Sequence, residues 1–246
     1  MAEKQFDDAA RIWLRSPHFT PSKKGETTSM AKEPLKSSHR NEMRLNIIDT
    51  AIKAFHTHGV KSVTMDDIAH SLTMSKRTLY QIFSDKEELL LACLQQKEEE
   101  NVKTDMELLE RYDNVLDFLL HIFENRMREF EVITPNFFTE LGKYPKVTTY
   151  FSKRNRAHED EAVEFLNKGI EQGYFRPDVN FVIIYRQLTL GLKLSMKSRE
   201  LTQFSQRELF INTVIPYIRG CATLKGIEII DRFIDKYRSA EERDAD

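Results

Sequence analysis

The chain has 246 residues, with 37 Lys and Arg against 39 Asp and Glu for a formal net charge of -2; it therefore does not coat nucleic acid through bulk positive charge, and any contact with phosphates must be local. With 40% hydrophobic and 31% charged residues it is neither a disordered nor a fibrous polypeptide. No apolar run has the length of a membrane span, and the N-terminus lacks the charged start and apolar core of a secretory leader. Two distant cysteines, Cys93 and Cys221, build no disulfide framework and suit a soluble protein of the reducing cytoplasm, with no membrane partner, metal or cofactor expected.

Eight Gly and seven Pro interrupt long stretches of Leu, Ile, Phe, Glu, Lys and Arg at helical spacing, so the expected fold class is all-α. Residues 1–39, with Pro17, Pro21, Gly25 and Pro34 among Ser, Thr and Lys, form a flexible N-terminal arm without a sustained apolar period. Met30 offers a second start that would make residues 1–29 an extension.

From Arg40, apolar residues Leu45, Ile48, Ala51, Ile52 and Phe55 recur at helical spacing until Gly59, which supplies the stop of the first helix. Thr64 caps a short second helix with Asp66 and Asp67 in its first turn, Ser75 caps a third through Phe83, and Ser84 a long fourth. Asn114, Pro135 and Pro145 mark further starts. The turn from Gly173 to Asn180 precedes an apolar helix from Phe181 to Met196, Ser205 caps the next, and Gly226 separates that from a final helix carrying Ile227, Ile230, Phe233, Ile234 and Tyr237.

A helix-turn-helix needs a support helix, a tight turn and a second helix whose first residues are free to enter the major groove. The stretch Thr64–Phe83 meets each requirement. Ile68, Ala69, Leu72, Leu79 and Phe83 join the two helices, while Ser75, Lys76, Arg77, Thr78, Tyr80 and Gln81 face outward.

Val63-Thr64, Ile68-Ala69, Met74-Ser75, Thr78-Leu79-Tyr80, Phe83 and Lys86-Glu87-Glu88-Leu89 closely resemble the N-terminal signature of the TetR family, over roughly residues 43–92. The resemblance implies an N-terminal three-helix DNA-binding domain over 40–86 and a larger helical effector-binding and dimerisation domain over 87–246. It further implies a repressor that leaves a palindromic operator when a small-molecule effector binds. By the same resemblance Thr64, Ser75, Tyr80 and Lys86 look like phosphate contacts that set register. Lys76, Arg77, Thr78 and Gln81 look like readers of base edges, Arg pairing with guanine and Gln with adenine. Thr73 stands where the family usually has Gly, often in a left-handed conformation that costs a β-branched residue about 1 kcal/mol or more.

Partners therefore expected are double-stranded DNA, a second copy of the chain and a small molecule. A TetR-like DNA-binding protein without a ligand, acting structurally or through a protein partner, is the alternative. An enzyme is not expected, since the histidines and cysteines form no catalytic or metal spacing and no phosphate loop is present.

Phe118 and Phe151 are candidate lining of an effector pocket. Arg154 and His158 lie on the same helical stripe and would either orient a polar ligand or belong to a solvated, salt-bridged face. For the dimer, Ile184, Leu188, Gly191 and Ser195 on one helix and Ile211, Val214, Ile215 and Ile218 on the next are the expected interface, with Ile183, Leu190 and Leu194 along a second apolar stripe of the first.

Overall fold

The computed structural model describes the backbone of residues 35–197, 199–201 and 203–244. Residues 1–34 of the expected arm, with Met30, lie outside the described residues. Among the described residues the regular structure is helical apart from one antiparallel bridge, Phe175 to Ala222.

Helix α1, Leu35–His58, begins five residues earlier than the apolar period suggests. No Gly or Pro separates Pro34 from Arg40, so nothing stops the helix from extending back over polar residues. It ends where Gly59 turns left-handed, at φ +80°, with its N–H bonded to the Phe55 carbonyl at 2.9 Å. Thr64 caps α2, Met65–Ser71, in a capping box with Asp67, and Ser75 caps α3, Lys76–Ile82. These caps satisfy N–H groups that have no partner inside so short a helix.

The cap of α4, Lys86–Leu109, is Asp85 rather than Ser84. Ser84 instead directs its backbone N–H (2.8 Å) and its hydroxyl (2.5 Å) to the Glu88 carboxylate. A carboxylate at the Asp85 position accepts the Glu88 N–H at 2.6 Å and matches the positive end of the helix better than a hydroxyl does.

Asn114 caps α5, Val115–Glu131, and Pro residues open α6, Pro135–Leu141, and α7, Pro145–Glu171. Two apolar helices follow, α8, Phe181–Lys197, and α9, Gln206–Cys221, the second with a Ser205–Glu208 capping box. The final helix, α10, is Leu224–Asp244. It runs straight through Gly226, which is therefore not the break that the sequence suggests. A Cβ there would lie 2.4 Å from the Tyr174 carbonyl oxygen. Glycine at 226 lets α10 approach the turn after α7 closely, a requirement that only the tertiary fold creates.

Long α1 lies along α4, and Phe55, Leu89 and Leu90 are fully buried. Polar contacts at several points tie the N-terminal part of the chain to later helices. The Thr134 N–H donates to the His56 carbonyl at 2.8 Å, and the Lys61 N–H donates to Glu140 at 2.7 Å. At the start of α7 the Lys146 N–H donates to Glu87 at 2.6 Å, while its ammonium pairs with Asp85 at 2.9 Å. Deeper in, Arg126 of α5 donates to both Asp105 oxygens of α4, at 2.9 and 2.7 Å, with both side chains buried. Removing either partner would strand a buried charge at a cost of about 3–5 kcal/mol.

Candidate nucleic-acid interface

Leu79, Ile68, Ala69 and Phe83 are buried between α2 and α3, and this small core fixes the outward face of α3. Arg77, Tyr80 and Gln81 are exposed and Thr78 half-buried. Ser75 accepts the Thr78 N–H at 3.1 Å, and the two hydroxyls are 2.8 Å apart. Ser75 and Thr78 thus spend part of their hydrogen-bonding capacity on forming the helix start.

The turn before α3 is held by Thr73 at φ +52°. The Thr73 N–H reaches the His70 carbonyl and the Met74 N–H the Ala69 carbonyl, both at 3.0 Å. This is the double closure in which glycine ordinarily supplies the left-handed residue. The strain anticipated at Thr73 is therefore present, and the turn keeps its shape.

Lys76 forms an ion pair with Asp66 across that turn, which raises the Lys76 ammonium above the ordinary lysine range. Thr64 donates its N–H (2.8 Å) and its hydroxyl (2.6 Å) to Asp67. These two bonds hold the Asp67 carboxyl below its ordinary value.

Lys86 differs from a simple surface cation. Its Nζ donates to the Val60 and Val63 carbonyls, both at 2.9 Å, and burial lowers its pKa, opposed by Glu140 and Asp67. Two of its three donors thus clamp the loop between α1 and α2, leaving one for any outside acceptor. Sequence reasoning missed that clamp and Glu140, which holds the same loop from the other side; nothing in a lysine at a helix start signals carbonyl partners 23 and 26 residues upstream. Arg40 reaches the Gln81 carbonyl at 3.4 Å, and the Arg44 guanidinium lies 5.2 Å from the centre of the Phe83 ring. The first helix thereby braces the far end of α3.

Of the expected pocket residues, Phe118 lines a void between α5, α7, α8 and α9 together with Phe165, Phe175, Tyr185 and Ile218. Phe151 is buried but does not line it. The side chains of Arg154 and His158 lie outside the described residues.

The expected dimer residues divide in an unexpected way. Leu188, Val214, Ile215 and Ile218 are buried within the protomer, so they have almost no surface left to give a partner. Ile184 and Ile211 are half-buried against the same core. A Cβ built on Gly191 meets nothing within 4 Å, and the Ser195 side chain lies outside the described residues. The outward apolar stripe of α8 is the other one, Ile183, Leu190 and Leu194, at 53%, 53% and 58% exposed. Among the described residues no helix is long and apolar enough to cross a membrane.

Residues 47–93, which span the second half of α1, the short helices α2 and α3 and the start of α4, match the family model of bacterial regulatory proteins of the tetR family. The chain is 28% identical over 152 residues to the HTH-type transcriptional repressor KstR2 of Mycobacterium tuberculosis, an alignment covering 59% of this chain and 76% of that protein. Its fold resembles the solved structure of the ketosteroid transcriptional regulator KstR2 from the same species, with a TM-score of 0.50, 24% identity and coverage of 74% and 96% of the two chains. It also resembles a transcriptional regulator of Saccharomonospora viridis in complex with choline, with a TM-score of 0.56, 20% identity and coverage of 70% and 96%. With its helix-turn-helix formed by α2 and α3, the chain carries an N-terminal domain that matches the tetR family of bacterial regulatory proteins and is a DNA-binding transcriptional regulator.

Proposed function

We propose that the chain is a cytoplasmic, homodimeric repressor that binds a near-palindromic operator and leaves it when a small molecule occupies the helical half of the protein. The observation that carries this reading is the exposed polar face of α3, Arg77, Tyr80 and Gln81, presented on a helix whose opposite side is anchored by fully buried Leu79. A helix so mounted can enter the major groove with its first residues leading.

In this reading Arg77 and Gln81 read base edges, since both planar groups can make paired hydrogen bonds to a single base. Thr78 adds a contact, and Lys76 joins once it leaves Asp66. Thr64, Ser75 and Tyr80 meet phosphates and fix register, while Lys86 acts chiefly by holding the loop that precedes α2. Residues 40–86 act as the DNA-binding domain and 87–246 as the sensing and dimerisation domain. The repressor name of the Mycobacterium relative supports the sign of regulation, and the choline bound by the Saccharomonospora protein supports a small ligand in such a fold.

Dimerisation is assigned to the outward stripe of α8. A row of half-exposed Ile and Leu one and two turns apart is costly to leave in water, and a second copy would cover it. Two protomers then present two α3 helices roughly one helical turn of DNA apart.

Selection of bound duplexes from a random or genomic pool, followed by sequencing, tests the reading. It predicts an enriched site with two-fold symmetry and half-site centres about 10 base pairs apart or a multiple of that. Recovery of no enriched sequence would reject specific DNA reading.

A further inference from the structure

A groove lies where α1 and the loop after it meet α2 and the start of α6, and it shares no lining residue with the void between α5, α7, α8 and α9. It encloses about 690 Å³, a size typical of small-molecule sites. Ala54, Val63 and Ile68 give it an apolar floor, the last two buried. The rest of the wall is polar, and the way that wall spends its protons decides what can be held there.

Thr57 donates its hydroxyl to the Lys53 carbonyl at 2.9 Å, Ser71 donates to the Asp67 carbonyl at 2.9 Å, and Ser62 donates to the carbonyls of His58 and Gly59. A hydroxyl has one proton to give, so all three groups face the groove as acceptors. Asp67 is the one carboxylate on the wall among the described residues, and no Lys or Arg lines it. Both Thr64 donors go to Asp67 Oδ2, which leaves Oδ1 to accept from outside. Lys86 acts on this carboxylate through space, but two of its own donors are bound to the Val60 and Val63 carbonyls.

This wall discriminates between ligand classes. An anion would meet Asp67 and a row of lone pairs, and a hydrocarbon would cover those acceptors without satisfying them. An ammonium group brings three donors, no acceptor and the matching charge, while a methylene chain suits the floor of Ala54, Val63 and Ile68. We propose that this groove binds a protonated aliphatic amine of the diamine class, its ammonium groups on Asp67 and the hydroxyl acceptors and its methylenes over the apolar floor. The site is additional to operator binding and to any effector in the helical half of the protein. Its occupant spans α1 and α2 on one side and Asn136 of α6 on the other.

Titration calorimetry on the full-length protein at about 150 mM salt, where diffuse attraction between exposed charges is largely screened, tests this with 1,4-diaminobutane and, as a cation without N–H donors, tetramethylammonium. The wild type should bind the diamine saturably and tetramethylammonium at least about tenfold more weakly. Asp67→Asn keeps an oxygen for Thr64 but removes the charge, and should weaken diamine binding about tenfold or more. Ser71→Lys places an ammonium one turn from Asp67 on the same face of exposed α2 surface, and should abolish binding by occupying the carboxylate. Asp66→Asn removes an equal charge from the neighbouring residue, which does not line the groove, and should change binding less than about twofold. Should Asp67→Asn lose helicity, Ser71→Lys against Asp66→Asn still decides. Absence of saturable diamine binding, indifference to Ser71→Lys, or an equal loss in Asp66→Asn would overturn the site. Tetramethylammonium bound as tightly as the diamine would overturn the donor-bearing ligand class.

Discussion

Lys76, at the first position of the recognition helix, is paired with Asp66 of the supporting helix. The cation best placed to meet DNA is thus held by a carboxylate of its own domain. Both side chains are more than half exposed, so the pair is weak and breaks readily. Asp66→Asn should free Lys76 and remove a negative charge from the surface facing phosphates, raising affinity for both operator and unrelated duplex by several-fold at low salt. Electrophoretic titrations at two salt concentrations check this. Unchanged or weaker binding would show that Asp66 positions Lys76 productively rather than withholding it.

Thr73 should be replaceable with gain. At φ +52° a β-branched residue carries local strain, and Thr73→Gly relieves it at the cost of a more flexible unfolded chain. A net stabilisation of about 0.5–1 kcal/mol is expected in urea unfolding. Loss of stability would mean that Thr73 contributes an interaction outweighing its backbone strain.

His56 sets a pH dependence. Burial, helped by the charge of Lys97, pushes its imidazole from the ordinary 6.5 down to about 4. Between those two values the unfolded chain takes up a proton that the folded chain excludes, so stability falls as pH drops through this window and levels off below about 4. The full effect is on the order of 3 kcal/mol. Asp85 and Glu88, whose carboxyls are held below their ordinary 3.8 and 4.5, lose their contribution at lower pH. Unfolding free energies at pH 7.5, 6.0 and 4.8 should decline for the wild type and much less for His56→Gln; parallel profiles would contradict the assignment.

Leu190→Glu should split the dimer with little loss of fold, because Leu190 is 53% exposed in the protomer and its replacement empties no core. Sedimentation at micromolar concentration should show monomers with near wild-type helicity, and operator affinity should fall by about 100-fold or more because a single half-site binds poorly. A folded dimer with full DNA binding would move the interface away from this stripe.

Much of this architecture was legible because its determinants are local. Thr64, Ser75, Asn114 and Ser205 cap the helices they precede, and the left-handed Gly59 ends α1, since caps and stops depend on residues within a turn of one another. What depends on distant neighbours was not. Gly226 looks like a break until the Tyr174 carbonyl beside it is known. In α8 both apolar stripes satisfy the helical period, and periodicity cannot say which one the protomer keeps; the structure buries Leu188 and leaves Leu190 outside. Lys86 resembles a surface cation because the carbonyls it binds belong to another turn of the chain.

The central claim, that α3 reads DNA sequence, is tested most directly by comparing wild type and Arg77→Ala on the selected duplex and on a scrambled duplex of the same length across a range of salt. Loss of about 1–3 kcal/mol on the selected duplex, with a much smaller change on the scrambled one, is the predicted result. Equal affinity of the two proteins for the selected duplex, or an equal loss on both duplexes, would contradict base reading by Arg77.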